Sequence, residues 1–259
     1  MKLVTSRDNP LFKHVKALAQ SSRERKKSGL ALIEGAHLVE AWIARFGAPA
    51  TVVVSETGVM ENEVTRLLAS CGGAEQVTLA DALFAEVSSV ETPAGILALI
   101  APPASHATPG TADPCLLLED IQDPGNMGSM LRSAAAAGVK DVLLSKSCAF
   151  AWSPKVLRAA QGAHFSLNIV EGADLIEFIR TYSGQVVALA PAAKTSLYSV
   201  KLKQPTAFAI GNEGAGLSNE LLNVAGIHAT IPMPGKLESL NAAAAAAVCL
   251  FEMVRQRSG

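Results

Sequence analysis

The chain has 259 residues, of which 49% are hydrophobic and 17% charged, with a formal net charge of -1. This composition excludes a disordered protein and indicates a substantial core. The near-neutral charge excludes any argument for nucleic-acid binding from overall charge alone. The four cysteines lie far apart, without a Cys-x-x-Cys pair or clustered histidines, so we expect neither a zinc site nor a disulfide framework.

Two further absences in the sequence concern membranes. The N-terminal residues contain charges and no apolar signal-peptide core. The longest uncharged apolar run, residues 242–251, is too short to span a bilayer. With unpaired cysteines in addition, the sequence predicts a soluble, cytoplasmic protein with no membrane partner.

Basic residues are concentrated at the N-terminus. Residues 1–27 hold eight lysines and arginines against Asp8 and Glu24, a local net charge of +6. A basic arm on a near-neutral protein favours a polyanionic partner. The alternative is a solvated helix face followed by a charged loop, and composition does not separate the two.

The first hundred residues alternate between helix and strand patterns. Asn9 is placed to cap a helix whose first residue is Pro10. Residues 21–29 follow as a predicted basic loop. The remaining pattern predicts strands at 30–33, 51–55, 76–79 and 95–100 and helices at 34–46, 62–70 and 81–87. We therefore predict a small α/β domain over residues 1–101.

Residues 102–114 are rich in proline and lack any periodicity, which predicts a semi-stiff linker. Beyond it, residues 115–259 alternate again. Strands are predicted at 115–119, 141–144, 166–170, 185–189, 206–210 and 227–231, and helices at 128–137, 154–160, 174–181, 219–222 and from the alanine run to Arg257. Strands that are apolar throughout and alternate with helices indicate a parallel sheet covered on both faces.

Three polar loops follow strands of this second domain, at residues 119–128, 211–216 and 232–241. Because all strands of a parallel sheet end at one edge, we expect these loops to converge on one cleft. Their glycines permit positive φ angles and close backbone approach to a ligand. Their polar side chains supply donors and acceptors. The residues concerned are Gly211, Gly214 and Gly216, and Asn212, Glu213, Ser239 and Asn241.

Arg132 lies near the start of the helix after the first loop, where a guanidinium and free backbone N–H groups suit a phosphate. Structural alternatives remain open for each candidate. Arg132 is also placed to form a buried ion pair with Glu213 or Glu119. Asn126 has the side chain of a helix cap or turn residue, and Ser239 that of a cap for the final helix.

Several common chemistries lack their motifs. The sequence contains no G-x-x-x-x-G-K-[ST] phosphate loop, and the glycines of 211–216 do not follow the G-x-G-x-x-G dinucleotide spacing. No G-x-S-x-G nucleophile turn is present either. The residues by themselves therefore predict an α/β protein with a ligand cleft at its C-terminal loops and a basic N-terminal arm.

Three segments together resemble a known family. The segments 126–134 (closing at Gly138), 210–217 and 231–241 resemble, in order, the three motifs of the SpoU (TrmH-like) RNA ribose 2′-O-methyltransferases of the SPOUT class. The match covers residues 115–257. After Asn241 the family commonly has Val-Ser-Val, where this chain has three alanines. The N-terminal part, with Asn9-Pro10 and residues 32–35, resembles the L30e-like RNA-binding domain that often precedes this catalytic domain.

The resemblance implies S-adenosylmethionine as methyl donor, no metal, a deep trefoil knot in the C-terminal domain and a homodimer built around it. It implies cofactor contacts at Leu189, Gly211, Asn212, Gly214, Ile231, Met233 and Leu240. It implies a catalytic set of Arg132, Asn126, Glu213, Ser239 and Asn241. The family's proposed activator is Arg132, but a guanidinium is a poor base, so we expect it to hold the RNA phosphate and orient the nucleophile.

The implied substrate is RNA, with ribosomal RNA favoured over transfer RNA because of the separate N-terminal domain. Three alternatives stay open at this point. They are a transfer RNA 2′-O-methyltransferase, an enzyme that methylates a base nitrogen, and a non-catalytic RNA-binding or ribosome-assembly protein that retains the fold. We expect RNA to be held through phosphate contacts and read at a loop or bulge, since A-form stems hide their base edges.

Overall fold

The structure is a computed structural model that describes residues 1–105, 112–235, 237 and 239–258. The chain forms two compact units. The first comprises Met1–Ala104 with Trp152–Phe165, and the second comprises Ser105–Ala151 with Ser166–Gly259. The sequence-based domain limits stay a prediction, because residues 152–165 lie inside the predicted second domain yet group with the first unit. Residues 106–111 of the predicted linker, and Lys236 and Glu238 of the third loop, lie outside the described residues.

The first unit contains a five-stranded mixed sheet. Its elements from residue 1 to 100 are β1 (Lys2–Val4), α1 (Pro10–Gln20), α2 (Ser22–Ser28), β2 (Ala31–Glu34), α3 (Ala36–Phe46), β3 (Thr51–Ser55), α4 (Asn62–Ser70), β4 (Glu75–Leu79), α5 (Asp81–Val87) and β5 (Ile96–Ile100). The strand order is β1-β4-β3-β5-β2, with β1, β4 and β3 parallel and β5 antiparallel to β3 and β2. Phe12, Val15 and Leu18 of α1 are buried against this sheet.

The predicted basic loop at 21–29 is wrong, because residues 22–28 form the helix α2. The Ser21 hydroxyl accepts from the Glu24 amide at 3.2 Å, and Gly29 ends the helix at φ 66°. Arg25 is buried and donates to the carbonyl of Leu18 at 2.5 Å, so it stabilises the end of α1. Burial lowers the pKa of this guanidinium. Local caps and one buried side chain therefore outweigh the repulsion among the basic residues.

Part of the basic N-terminal charge is neutralised within the first unit. Arg7 and Lys16 pair with Glu86, and Lys13 pairs with Asp8 at 2.9 Å. Strand β1, which the sequence analysis missed, pairs with β4 although two of its three residues are exposed. Its formation depends on a partner strand about 75 residues away, which local periodicity does not reveal.

The second unit is built on seven parallel strands. The elements from residue 115 onwards are β6 (Cys115–Leu118), α6 (Pro124–Ala136), β7 (Asp141–Leu144), α7 (Pro154–Ala160, in the first unit), β8 (Asn168–Glu171), α8 (Leu175–Thr181), β9 (Gln185–Leu189), β10 (Thr195–Ser196), β11 (Thr206–Ile210), α9 (Asn219–Val224), β12 (Ile227–Thr230) and α10 (Ala242–Ser258). Short 3-10 turns occupy 58–60, 163–165 and 197–199. The predicted parallel-sheet α/β fold with a smaller α/β unit is confirmed. The trefoil knot stays a prediction.

The strand order β10-β12-β9-β11-β6-β7-β8 positions the site. Strands β12, β9, β11 and β6 are direct neighbours and all parallel, so their carboxyl ends lie side by side. Helix α6 begins at Pro124, four residues before its predicted start. The Asp123 carboxylate caps it by accepting from the Asn126 amide at 2.7 Å, and Pro124 occupies its first position.

Among the described residues, no helix is both long and apolar enough to cross a bilayer. Nor do the described parts of the chain contain a group of three or more His, Cys, Asp or Glu side chains arranged to hold a metal ion.

Candidate active site

A cavity of about 540 Å³ lies at the carboxyl ends of β9, β11 and β12 and is closed by the start of α10. Its walls come from three loops that are far apart in sequence but follow strands that are neighbours in the sheet. All seven predicted cofactor-contact residues line it, namely Leu189, Gly211, Asn212, Gly214, Ile231, Met233 and Leu240. Glu213, Ser239 and Asn241 of the predicted catalytic set line it as well.

The cavity has both an apolar and a polar side. Leu189, Ile210 and Ile231 contribute apolar surface at the strand ends. Glu213 and Asn241 contribute polar residues, and three glycines of the loop 211–216 line the cavity without a side chain. An apolar wall with a few placed polar groups is the usual composition of a cofactor site, and the volume lies in the usual range of about 300–1,000 Å³.

The loop 211–216 has a tight backbone geometry. The backbone amide of Asn212 donates to the Gly216 carbonyl at 3.1 Å, and the Gly216 amide donates to the Asn212 carbonyl at 2.9 Å. Of the three glycines that permit a positive φ, Gly216 adopts one, at φ 72°, whereas Gly211 and Gly214 do not. Gly211 is required for another reason, because a Cβ there would collide with the backbone of Gly216 and Leu217.

A chain of side-chain hydrogen bonds joins the three loops. The Asn241 amide donates to Asn126 Oδ1 at 2.9 Å, and the Asn126 amide donates to Glu213 Oε1 at 2.7 Å. These bonds fix which end of the Asn126 amide faces each neighbour. Asn126 is therefore not the helix cap, since Asp123 takes that role. The structure thus brings together three predicted catalytic residues, since Glu213 and Asn241 lie 87 and 115 positions after Asn126 in the sequence.

Asn241 also caps the final helix. Its Oδ1 accepts from the amides of Ala243 at 2.9 Å and Ala244 at 3.2 Å, which leaves its NH2 group for Asn126. Ser239 is exposed at the cavity wall, and the capping role considered for it belongs to Asn241.

Arg132 stands apart from this group. Its side chain is exposed, it does not line the cavity, and within the described part of the chain no hydrogen bond or ion pair to it is found. It lies six residues beyond Asn126 in α6, about 9 Å further along the helix axis. The alternative of a buried ion pair is wrong, because Glu213 bonds Asn126 and Glu119 bonds Ser218. The guanidinium is thus available to an external anion.

The sequence-based contacts did not include five further residues that line the cavity, namely Ala190, Pro191, Thr230, Ala242 and Ala245. Ala190 and Thr230 adjoin the predicted contacts Leu189 and Ile231, and Pro191 lies two residues after Leu189, so the strand-end rule would have found these three had it been extended by one or two residues. Two residues of the first polar loop support the site without lining the cavity, a role that the sequence did not reveal. Glu119 and Asp120 hold the loop that lines it, through hydrogen bonds across about 90 to 100 residues of sequence.

Comparisons with known proteins match both parts of the chain to described families. Residues 113–251 match the SpoU rRNA Methylase family, and residues 9–98 match the MRM3-like substrate binding domain. The 23S rRNA (guanosine(2553)-2′-O)-methyltransferase RlmP of Bacillus subtilis is 31% identical over 255 residues, covering 98% of this chain and 99% of that protein.

Two crystal structures are similar over nearly the whole chain. The SpoU methyltransferase AviRb from Streptomyces viridochromogenes, in complex with the cofactor AdoMet, has a TM-score of 0.87 at 29% identity, covering 96% of this chain and 98% of that one. The AdoMet-bound rRNA methyltransferase from Sinorhizobium meliloti has a TM-score of 0.83 at 29% identity, covering 98% and 97%.

Proposed function

Because the chain belongs to the SpoU rRNA methylase family, we propose that it transfers a methyl group from S-adenosylmethionine to a ribose 2′-hydroxyl of ribosomal RNA. The single observation that carries the proposal is the cavity at the strand ends, with Asn126, Glu213 and Asn241 hydrogen-bonded at its wall. Two relatives matched over 99% and 92% of their length are named as 23S rRNA 2′-O-methyltransferases, which supports ribosomal over transfer RNA.

The cavity fits the cofactor. Leu189, Ile210 and Ile231 offer an apolar wall for a purine ring, and the loop at Gly211 offers backbone donors and acceptors. Gly211 keeps that loop closed, since any side chain there would force it open. S-adenosylmethionine, when bound, supplies a methyl group already activated by its sulfonium charge. The protein therefore needs to orient the hydroxyl and to receive its proton.

We propose that Glu213, a carboxylate at the cavity wall, accepts the proton of the 2′-hydroxyl. Its Oε1 is held by Asn126, which Asn241 holds in turn, so the carboxylate has a defined orientation. Arg132 is exposed and has the geometry and permanent charge to bind an RNA phosphate. In this arrangement Arg132 places the ribose, and the Asn126 chain of hydrogen bonds positions its proton acceptor.

The first unit is proposed to bind the RNA, as its match to a substrate-binding domain supports. Arg23 and Lys27 are exposed on α2 and suited to phosphate contacts. Deleting residues 1–27 is not a clean test of this surface, because Val4, Phe12 and Leu18 belong to the core. Substitution of the exposed cations keeps the fold and removes only the charge.

We further propose a homodimer formed through the second unit. Helix α10 carries an outward stripe of Ala244, Ala247, Val248 and Phe251, and Phe251 is 48% exposed. An apolar stripe at helical spacing favours burial against a second copy. Light scattering should give a dimer mass for the wild type and a monomer mass for Phe251→Glu. An unchanged mass for the variant would contradict this interface.

We also propose the trefoil knot in the second unit, which a crystal structure of the chain would test.

The proposed reaction is tested by mapping methylated riboses in total RNA from cells with and without the protein, together with calorimetry of S-adenosylmethionine binding. We expect one ribosomal ribose to lack its methyl group in the cells without the protein. We also propose that the protein acts in the cytoplasm. If a transfer RNA loses the methyl group instead, the substrate is transfer RNA and the proposed substrate is wrong. If a base loses the methyl group, the protein methylates a base and the proposed reaction is wrong. Absence of cofactor binding would support a non-catalytic RNA-binding protein instead.

A further inference from the structure

We propose that Glu119 and Asp120, which do not line the cavity, are positioning residues that hold the loop 211–217 in the shape that binds the cofactor. This inference rests on the proposed function and concerns how the same site is built. Both residues directly follow β6, which is paired with β11. They therefore lie beside the point where the loop leaves the sheet.

Asp120 supports the start of the loop. It has φ 56°, a left-handed conformation that is uncommon for a residue with a side chain and tolerated best by aspartate and asparagine. Asp120 keeps this conformation with the Ser145 hydroxyl, which accepts from the Asp120 amide at 3.0 Å and donates to its Oδ1 at 2.7 Å. The backbone is thus held in a sparsely populated region by its own side chain and one neighbour.

The consequence of this conformation is a contact to the loop. The Asp120 carbonyl accepts from the Asn212 side-chain amide at 2.9 Å. That bond orients Asn212 so that its Oδ1 accepts from the amides of Gly214 at 2.9 Å and Ala215 at 3.0 Å. The turn that lines the cavity is therefore shaped from Asp120 through a single amide side chain.

Glu119 holds the other end of the loop. One oxygen of its carboxylate accepts from the Ser218 amide and the other from the Ser218 hydroxyl, each at 2.7 Å. The same hydroxyl accepts from the Leu221 amide and caps α9. The loop is thus fastened at both ends by two consecutive residues of the neighbouring strand end, and charge-assisted bonds of this length are the stronger kind.

The test compares the affinity of purified variants for S-adenosylmethionine by calorimetry. Glu119→Ala removes one anchor, and Asp120→Val is incompatible with the left-handed backbone. We expect each to raise the Kd about tenfold, equivalent to about 1.4 kcal/mol, since the cofactor must then order the loop itself. Asp120→Asn tolerates the backbone and retains a side-chain oxygen, so it should restore wild-type affinity.

The matched control is Asp174→Ala. Asp174 also anchors backbone in the second unit, accepting from the Glu177 amide at 2.9 Å, but it caps α8 and does not touch the loop. We expect this variant to melt earlier and to bind the cofactor as the wild type does. Weakening by Asp174→Ala equal to that by Glu119→Ala would overturn the inference, as would wild-type affinity in Glu119→Ala and Asp120→Val.

Two measurements keep the test decisive. If Asp120→Val does not fold, Ser145→Ala removes the same support from outside the cavity, and wild-type affinity in that variant would refute the role of Asp120. Amide hydrogen exchange of residues 211–217 in the unliganded chain should be faster in Glu119→Ala than in the wild type. If the wild type binds no S-adenosylmethionine, the proposed function fails, and the exchange rates still decide whether these residues hold the loop.

Discussion

Replacing Gly211 by alanine is the sharpest perturbation of the cofactor loop. A Cβ at this position would collide with the backbone of Gly216 and Leu217, which cannot rotate away as a side chain can. The loop has to open, and the paired bonds between Asn212 and Gly216, at 3.1 and 2.9 Å, are strained or broken. Overpacking of this kind costs about 1–3 kcal/mol.

If that cost falls on the closed form of the loop, the Kd for S-adenosylmethionine rises by about ten- to a hundredfold, at tenfold for each 1.4 kcal/mol. The melting temperature falls by about 2–4 °C for each kcal/mol in a chain of this size. Calorimetry measures the first quantity and circular dichroism the second. Both changes should appear together in Gly211→Ala.

Gly226→Ala is the matched control in the same unit, at a glycine that does not line the cavity. A Cβ there would have no other atom within 4 Å, and the residue does not have a positive φ. We expect its cofactor affinity to stay within about threefold of the wild type, because exposed substitutions without a clash change free energies by about 0.5 kcal/mol or less. The reasoning is refuted if Gly211→Ala binds the cofactor as tightly as Gly226→Ala.

Three further predictions concern other parts of the chain. Arg132→Ala should abolish methylation while calorimetry gives an unchanged cofactor Kd, since Arg132 lies outside the cavity lining. Hydrogen bonds from Arg255 and Gln256 lower the pKa of Glu252 from 4.5 to about 2, so its stabilising contribution is present above about pH 4.5 and disappears as the pH falls towards 2. Melting curves against pH should therefore show a shallower acid decline for Glu252→Gln. Arg23→Glu with Lys27→Glu should weaken RNA binding in filter assays and reduce its salt slope by about one for each phosphate that the protein no longer neutralises.

Each of these has an outcome that contradicts it. Turnover retained by Arg132→Ala would remove that residue from the reaction. An acid decline as steep in Glu252→Gln as in the wild type would place the responsible carboxylate elsewhere. For the RNA surface the control is Arg66→Glu, an exposed arginine of the same unit on α4. Arg66→Glu changes the net charge half as much as the α2 variant does, so a drop in RNA binding free energy of half that of the α2 variant or more would show that only net charge matters.

Local patterns in the sequence determined most of the elements and the location of the site. Asn9 caps α1 ahead of Pro10, as predicted, with its Oδ1 accepting from the Leu11 amide at 2.9 Å. Apolar strands that end in polar loops placed the cleft at one sheet edge, because parallel strands end together. These features are decided within a few residues of chain, so periodicity and capping chemistry are enough to read them.

Tertiary structure alone decided which of those polar groups meet. The contacts of Asn126 with Glu213 and Asn241 join positions 87 and 115 residues apart, and only the strand order brings them to hydrogen-bonding distance. The same holds for Gly211, which lies against the backbone of Gly216, and for Arg132, which the fold leaves outside the cavity. Side-chain type predicted what each residue can do, whereas the packing of the sheet selected its partners.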